Sequence, residues 1–344
     1  MSHPRITIRD VAARAGVSHQ TVSRVINHSP LVSSPTRARV EAVIADLGYA
    51  PNAIARFMAW GRTGALACLS PNLTDYTFAS LIEGAQAEAR QQGYFLLSAS
   101  AADVETFAAL VSQFVTSRQT EGLMVINPYA DARHTLLPPD FPTVFAGARP
   151  RAEAANSVAL DDVGAARLAT EHLLSLGHRA IGMVTGPLTE DCAQDRCLGF
   201  EQTLQAAGLS PRPEWIAAGD WLAPSGCAAF ERFLNTGRLP TAIFAQNDQM
   251  ALGILHAARA AGLSLPSQLS VVGVDDIPLV AYYEPPLTTV RQDFQAIGRA
   301  AARFLIQALK QPTAPRQHLQ LPGELVIRQS ATFSAENPIP PAWR

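Results

Sequence analysis

The stretch that decides the fold of the N-terminal part of this chain is ITIRDVAARAGVSHQTVSRVIN, residues 6–27. Thr7 is a suitable N-cap, and apolar residues follow it at helical spacing until Gly16, whose permissive backbone favours a tight turn. Ser18 can then cap a second helix whose apolar positions face the first helix. The pattern predicts a helix-turn-helix.

The second predicted helix carries a continuous polar face. With Val22 and Val25 turned inward, its outward face holds hydrogen-bonding side chains, namely His19, Gln20, Ser23 and Arg24. Glutamine can pair bidentately with adenine and arginine with guanine in the major groove, and the N-terminal residues of a recognition helix reach the base edges. An ordinary solvated helix face is the alternative, but the turn, the cap and the local charge together favour DNA.

The charge of the chain is unevenly distributed. Residues 1–62 contain eight arginines and three acidic residues, a net charge of +5, whereas the remainder holds 19 basic and 26 acidic residues, a net charge of −7. A basic block of this size can neutralise phosphates on a polyanion.

A third helix is predicted in SSPTRARVEAVIADLGY, residues 33–49, with Ser34 as its N-cap, Pro35 in the first helical position and Gly48 at its end. The segment PNAIARFMAWGR, residues 51–62, is also compatible with a helix. Isolated helices need roughly 12 to 15 residues to be stable in water, so this short segment requires a partner to fold.

The larger part of the chain has an α/β pattern. The whole chain has 344 residues, 48% of them hydrophobic, which predicts two or three domains with a substantial core. From residue 64 onward, amphipathic stretches such as Phe78–Gln92 alternate with short apolar runs: ALACLS, YFLLSAS, GLMVI, TVFAG, AIGMVTG, TAIFAQ and LSVVGV. This alternation is typical of parallel sheets, and the number of units fits two similar lobes.

Several classes of protein are disfavoured. The chain has neither a run of 18 apolar residues nor a hydrophobic stretch after a charged start, so we expect a cytoplasmic location and no membrane partner. The glycine-rich motifs of dinucleotide and phosphate binding and the G-x-S-x-G of hydrolases are absent, and no nucleophile with a base is evident. We therefore expect no enzyme, no catalytic residues and no cofactor.

A metal site is not expected either. The four cysteines lack the paired spacing of metal ligands, and we expect each to be a small buried apolar side chain. The acidic pairs Asp161–Asp162 and Asp275–Asp276 are adjacent residues, which point to opposite faces of a strand. For these pairs we expect turn capping and exposure to solvent.

Two motifs, D-V-A-x-x-A-G-V-S-x-x-T-V-S-R-V-x-N at 10–27 and Y-x-P-N-x-x-A-R at 49–56, resemble the N-terminus of the lactose repressor family of bacterial transcription regulators. The resemblance implies base recognition by His19, Gln20 and Arg24. It assigns mainly backbone positioning to five further residues, Thr7, Ser18, Thr21, Ser23 and Asn27. It also implies a hinge helix that pairs with its symmetry mate in the minor groove and contacts DNA through Asn52, Ala55 and Met58, where Met58 replaces the leucine that bends the DNA.

The resemblance extends through the core to about residue 333, in segments that include LGHRAIGMVTGP, PTAIFAQNDQMALG, LSVVGVDD and PPLTTVRQDF. These segments are most similar to the member that gives the family its name, and related cores resemble periplasmic sugar-binding proteins. The implied fold has two doubly wound lobes joined by three crossovers, with a ligand in the cleft at the carboxyl ends of the strands.

A sugar requires planar hydrogen-bonding groups for its hydroxyls and an aromatic face for its ring. By resemblance, eight residues would contact it: Tyr76, Phe78, Arg196, Trp221, Asn247, Asp275, Gln292 and Phe294. A core anchor is the alternative for Trp221 and a surface charge for Arg196, whereas we expect Asp248 to cap or brace the helix that follows it. Gly147 stands where the eponymous member has an acidic residue, so the resemblance implies a galactoside but leaves open a different or larger glycoside.

The expected domains are a DNA-binding domain at 1–50, a hinge helix and linker at 51–61, a core at 62–333 and a tail at 334–344. Within the core, the first lobe takes about 62–160 and 291–321, and the second about 161–290 and 322–333. The tail lacks the leucine heptads that would make a tetramer, so we expect a homodimer.

The predicted function is that of a repressor bound to a near-palindromic double-stranded DNA operator and released by a sugar. Histidine at position 19 replaces a tyrosine of the eponymous member, so the operator sequence stays open. Alternatives are a regulator that uses a non-sugar or co-repressing small molecule and, more distantly, a solute-binding protein or a sugar-processing enzyme.

Overall fold

The computed structural model describes residues 6–27, 29–49, 62–126, 128–147, 149 and 155–334. The chain divides into two compact units, Met1–Gly64 and Ala65–Arg344. The predicted hinge residues Asn52, Ala55 and Met58 lie outside the described residues, as do the last ten residues of the predicted tail.

The N-terminal unit contains three helices, α1 (Ile8–Ala15), α2 (His19–Ile26) and α3 (Ser34–Asp46). Thr7 precedes α1, and both its backbone N–H and its hydroxyl donate to the Asp10 carboxylate at 2.7 Å. Gly16 adopts the left-handed conformation with φ +64°, and Ser18 Oγ accepts the N–H of Thr21 at 3.1 Å. The predicted helix-turn-helix is confirmed, with a small core of Val11, Ala12, Ala15, Val22, Val25 and Val40.

The predicted start of α3 is wrong by one residue. Ser33 has the extended backbone of an N-cap (φ −62°, ψ 146°), so Ser34 is the first helical residue and Pro35 the second. Proline is tolerated in the second position as well, because the N–H groups of the first turn have no partner within the helix.

The larger unit contains two six-stranded sheets. The first lobe is built on β1 (Ala65–Ser70), β2 (Phe95–Ser100), β3 (Gly122–Ile126), β4 (Thr143–Ala146), β5 (Asn156–Leu160) and β11 (His318–Leu321), in the order β11-β5-β4-β3-β1-β2. The second lobe is built on β6 (Ile181–Thr185), β7 (Ile216–Ala218), β8 (Ala242–Ala245), β9 (Ser270–Asp275), β10 (Thr288–Arg291) and β12 (Glu324–Val326), in the order β12-β10-β9-β8-β6-β7. Neighbouring strands are parallel except β12, which is antiparallel to β10.

Helices cover both sheets. In the first lobe these are α4 (Tyr76–Gln91), α5 (Val104–Val111) and α10 (Phe294–Lys310), and in the second lobe α6 (Asp162–Ser175), α7 (Asp191–Ala206), α8 (Ala223–Asn235) and α9 (Asp248–Ala260). The chain passes between the lobes after β5, after β10 and between β11 and β12. The expected fold of two doubly wound lobes with three crossovers is therefore confirmed.

The central strands are apolar throughout because helices bury both faces of a parallel sheet. Every residue of β3, β6, β8 and β9 is buried, and these strands coincide with the apolar runs of the sequence. Within the parts of the chain described above, no helix is both long and apolar enough to cross a membrane.

Candidate effector cavity and DNA-binding surface

The candidate effector site is a cavity of about 270 Å³ between the two lobes of the core. It is lined by residues that follow the carboxyl ends of strands in both sheets, which is where doubly wound folds bind their ligands. All eight side chains assigned by resemblance to the effector line this cavity: Tyr76, Phe78, Arg196, Trp221, Asn247, Asp275, Gln292 and Phe294.

Arg196 is fixed at the floor of the cavity rather than exposed on the helix surface. Its Nε donates to Asp162 Oδ1 at 2.8 Å, and its Nη1 donates to the carbonyl oxygen of Gln246. Burial raises the pKa of Asp162, although the nearby guanidinium acts in the opposite direction. The pair therefore holds a charged donor group rigidly at the cavity, with both side chains largely buried.

Asp275 and Gln292 form the polar wall of the second lobe. Gln292 Nε2 donates to Asp275 Oδ1 at 3.0 Å, and burial raises the pKa of Asp275 well above its ordinary value. Asp275 also has a φ of +119°, in a region that costs non-glycine residues about 1 to 3 kcal/mol. Such backbone strain is concentrated at functional sites, where the surrounding structure enforces it.

Trp221 closes one side of the cavity. Its indole Nε1–H donates to Glu190 Oε2 at 3.0 Å, its backbone φ is +74°, and the Arg196 guanidinium lies 5.7 Å from its ring centroid. Gly186 makes room for the ring, because a Cβ at this position would lie 2.1 Å from indole carbons. The indole also packs against the core of the second lobe, as the core-anchor alternative predicts, and it lines the cavity as well.

Asn247 is partly engaged by the protein itself. Its Oδ1 caps α9 by accepting the N–H of Met250 at 2.9 Å, and its Nδ2 donates to the carbonyl of Trp221 at 2.9 Å. Asp248 braces the same region, since its two oxygens accept the Thr289 hydroxyl and the Ile277 N–H. The bracing role expected for Asp248 is confirmed, while the cap is provided by Asn247.

Part of the cavity lining is aromatic and aliphatic. The Tyr76 ring meets the Phe294 ring edge-on, with centroids 6.5 Å apart. Further apolar side chains complete this part of the lining, namely Phe78, Leu81, Ile126, Leu160 and Ile297. Gly147 also lines the cavity, with φ +69° and only Leu81 Cδ1 near its missing Cβ, at 3.7 Å. The cavity is therefore lined by both polar and apolar side chains.

The expected burial of the four cysteines needs correction. Only Cys68 is fully buried, whereas Cys192, Cys197 and Cys227 are partly exposed, because they lie on helices whose faces border the cavity or the surface. Burial raises the pKa of the Cys192 thiol, and Cys192 lines the cavity.

The acidic pairs are also less exposed than expected. Asp161 caps α6 by accepting the N–H of Gly164, as predicted for a turn. The expected solvent exposure is wrong for all four residues, since Asp275 is buried and the other three are partly buried. Asp162 is held by Arg196, Asp275 by Gln292, and Asp276 by Arg291 and Arg328.

Two contributors were not singled out from the sequence. Glu190 orients Trp221 as described above, and burial raises the pKa of its carboxyl. Gln246 connects three segments, accepting the N–H of Gly186 at 2.9 Å and donating to the carbonyl of Ala193 at 3.1 Å. Gln246 directly follows β8, and Glu190 lies in the loop between β6 and α7. This position after the carboxyl end of a strand is the feature that could have identified them.

In the N-terminal unit, His19, Gln20 and Arg24 are exposed on α2, as are Thr7 and Ser18 beside it. The other three positioning candidates, Thr21, Ser23 and Asn27, are partly buried. Ser18 Oγ and Thr21 Oγ1 are 3.0 Å apart, and Asn27 Nδ2 donates to Ser23 Oγ at 3.4 Å. The three base-reading candidates thus share one open face, and the others support the helix ends.

Comparison with known proteins agrees with this organisation. Residues 7–52 match the family described as bacterial regulatory proteins, lacI family, and residues 170–331 match a periplasmic binding protein-like domain. The chain is 32% identical over 329 residues to the HTH-type transcriptional repressor PurR of Aliivibrio salmonicida, covering 94% of this chain and 98% of that protein.

Two solved structures are similar over nearly the whole chain. The lac repressor dimer bound to operator and the anti-inducer ONPF matches with a TM-score of 0.87 and 32% identity, covering 96% of this chain and all of that one. A complex of the transcriptional regulator CelR with cellobiose matches with a TM-score of 0.73 and 30% identity, covering 95% of this chain and all of that one.

A helix-turn-helix joined to a two-lobed binding core defines a ligand-responsive DNA-binding regulator. The chain belongs to the lactose repressor family of bacterial transcription regulators.

Proposed function

We propose that this regulator is a homodimeric repressor that binds a near-palindromic operator and is released from it by a sugar or glycoside. The observation that carries the proposal is the cavity lined by both polar and apolar side chains, formed where strands of both lobes end. A sugar has vicinal hydroxyls and an apolar ring face, so it matches both kinds of side chain.

The polar side chains of the cavity offer complementary groups for hydroxyls. Asp275 provides carboxylate oxygens, Gln292 an amide, and Arg196 a guanidinium with five N–H donors, of which two are engaged by Asp162 and Gln246. These groups are held in place before a ligand binds, which lowers the entropic cost of binding. Trp221, Tyr76 and Phe294 supply ring faces or edges for the apolar side of the sugar.

A thermal-shift screen of monosaccharides, disaccharides and alkyl glycosides tests the effector class, because a ligand that binds only the folded state stabilises it by mass action. We expect at least one sugar to raise Tm, and we expect Gln292→Ala to remove that rise. Arg299→Gln, in an exposed ion pair on α10, is the matched control and should keep it. If nucleobases raised Tm and no sugar did, the effector would be a non-sugar molecule and the sugar proposal would be wrong.

For DNA, we propose that His19, Gln20 and Arg24 of each protomer contact base edges in one half-site. The remaining described candidates, Thr7, Ser18, Thr21, Ser23 and Asn27, would position the helix on the phosphates. We retain the hinge assignment of Asn52, Ala55 and Met58 as part of this proposal, together with the division into domains at 1–50, 51–61, 62–333 and 334–344.

Exposed apolar side chains of the core support the homodimer. Strand β2 lies at the edge of its sheet and presents Phe95 and Leu97 with 59% and 43% exposure, and Tyr282 is 88% exposed. Exposed apolar edges of this kind favour association. Light scattering should give twice the protomer mass of 36.8 kDa, and Leu97→Glu should lower it towards the protomer value.

A further inference from the structure

The two lobes are connected by an ion-pair cluster as well as by the three crossovers. Arg149 follows β4 in the first lobe, whereas Asp191, Gln194 and Asp195 lie on α7 in the second lobe. Arg149 Nε donates to Asp195 Oδ2 at 2.9 Å, and Nη2 donates to Asp195 Oδ1, so the guanidinium and the carboxylate pair in a two-pronged manner. Nη1 also donates to Gln194 Oε1 at 3.3 Å. We call these four residues the interlobe latch.

The interlobe latch is partly shielded from water, so its ion pair can stabilise the contact between the lobes. The Asp195 side chain is 20% exposed and the Arg149 side chain 42%, and the backbone N–H of Arg149 donates to Asp191 Oδ2 at 3.4 Å. The hydrogen bond to Asp195 is the main cause that raises the pKa of the Arg149 guanidinium. Bidentate arginine–carboxylate pairs are among the stronger and more directional of such interactions.

Main-chain hydrogen bonds join the lobes beside the latch. The N–H of Ala130 donates to the carbonyl of Thr189 at 2.8 Å, and the N–H of Asp191 donates to the carbonyl of Pro128 at 2.9 Å. These bonds pair the segment after β3 with the segment before α7. Between Thr189 and Asp191 lies Glu190, whose carboxylate holds the Trp221 indole.

The latch is also continuous with the effector cavity. Gly147, two residues before Arg149, lines the cavity, and so does Arg196, which follows Asp195 on α7. A relative movement of the lobes that separates Arg149 from α7 would therefore shift the cavity walls as well.

We propose that Arg149 is a positioning residue that latches the first lobe to α7 through Asp195, and that this latch sets how readily the two lobes separate around the cavity. Arg149 does not line the cavity itself; it acts through the helix that carries Arg196 and through the Thr189–Asp191 segment.

Hydrogen exchange tests the latch without any ligand. The amides of Ala130 and Asp191 bond across the two lobes, so their protection reports on lobe separation. In Arg149→Gln and in Asp195→Asn, we expect peptides that cover 128–131 and 189–192 to exchange roughly two- to fivefold faster at low salt, the range of a partly exposed ion pair. The difference from the wild type should shrink in 0.5 M salt. Arg299→Gln is the control and should leave these peptides unchanged.

A charge reversal separates direct pairing from a general disturbance. Arg149→Glu and Asp195→Arg should each speed exchange in both peptides, and the double variant should restore a large part of the protection. If Arg149→Gln proves too unstable, Arg149→Lys keeps the charge but loses the two-pronged geometry and should give an intermediate rate.

Unchanged or slower exchange in the single variants, or a double variant no better than the worse single variant, would overturn the proposal. The experiment needs neither a sugar nor DNA, so failure of the proposed effector class does not affect it.

Discussion

Replacing Arg196 by leucine should destabilise the core strongly, because it leaves the Asp162 carboxylate buried without its cation. The Nε–Oδ1 distance is 2.8 Å, and the two side chains are only 7% and 11% exposed. Breaking a buried ion pair by removing one partner costs about 3 to 5 kcal/mol. The Asp162 side chain is still 11% exposed, so water can partly solvate its carboxylate. We therefore expect Arg196→Leu to lower the free energy of unfolding by about 3 kcal/mol, the lower end of that range.

The double variant Asp162→Asn/Arg196→Leu isolates the cause. With no charge left to bury, it should be within about 1 to 2 kcal/mol of the wild type, because paired apolar or neutral replacements of buried ion pairs are often nearly neutral. It should still fail to respond to sugar in the thermal-shift screen, since the guanidinium is gone. Comparison of this double variant with Arg196→Leu therefore distinguishes the effect on stability from the effect on effector binding.

The penalty in Arg196→Leu should also depend on pH. Burial raises the pKa of Asp162 and Arg196 opposes that rise, so losing Arg196 moves this pKa further up. A carboxyl with a raised folded-state pKa binds its proton more tightly in the folded state, so stability falls as pH rises from its ordinary pKa through the raised value. The deficit should therefore be larger at pH 8 than at pH 5.

Urea unfolding followed by circular dichroism at the two pH values measures these differences. Arg299→Leu, which removes a cation from an exposed pair, is the control and should cost less than about 0.5 kcal/mol. A double variant as unstable as Arg196→Leu, or a deficit equal at both pH values, would refute the reasoning.

Three further predictions follow from single contacts. Gly186→Ala should displace the Trp221 indole, lower stability by about 1 to 3 kcal/mol and abolish the sugar-induced rise in Tm; an unchanged thermal shift would contradict this. Burial raises the pKa of Asp248 to about 7, so wild-type stability should fall as pH rises from about 4 to 7, by at most about 1.4 kcal/mol per pH unit. Asp248→Asn should make the fall in urea midpoints across this range less steep, and an unchanged slope would contradict this, because only the share from the other buried carboxyls, Asp162, Glu190 and Asp275, should remain. Gln20→Ala and Arg24→Ala should each weaken operator binding by about 1 to 3 kcal/mol and relax the preference for one base pair, measured by fluorescence anisotropy on matched and substituted duplexes; equal losses on all duplexes would indicate phosphate contacts instead.

Much of the fold could be predicted from the sequence because the central strands are continuous apolar runs, buried on both faces. At or near the sheet edges, β2 is recognisable as the run YFLLSAS, whereas β5, β7, β10, β11 and β12 do not stand out as apolar runs. For example, β7 has only three residues, and β11 (HLQL) alternates between exposed and partly buried residues instead of forming an apolar run. The polar start of β5 (NSVAL) also hides a fully buried strand, because its asparagine and serine bond to the chain near β11.

The candidate site was predictable where a polar residue lies at the end of a strand and a family motif marks its position, as for Asp275 and Gln292. Residues that act through distant partners were not. Glu190 resembles an ordinary acidic loop residue until the fold brings it to Trp221, and Arg149 resembles a surface charge until β4 and α7 face each other. Local patterns carry no information about contacts 31 or 46 residues apart in sequence.

The central claim is that a sugar in the cavity and DNA on α2 oppose each other energetically. Its most direct measurement is the affinity of the full chain for a palindromic operator, selected from random duplexes, with and without the sugar that raises Tm most. We expect that sugar to weaken operator binding between about 5- and 150-fold, the usual size of allosteric coupling, and to have no effect in Gln292→Ala. Operator affinity that stays constant while the sugar saturates the core would contradict the claim.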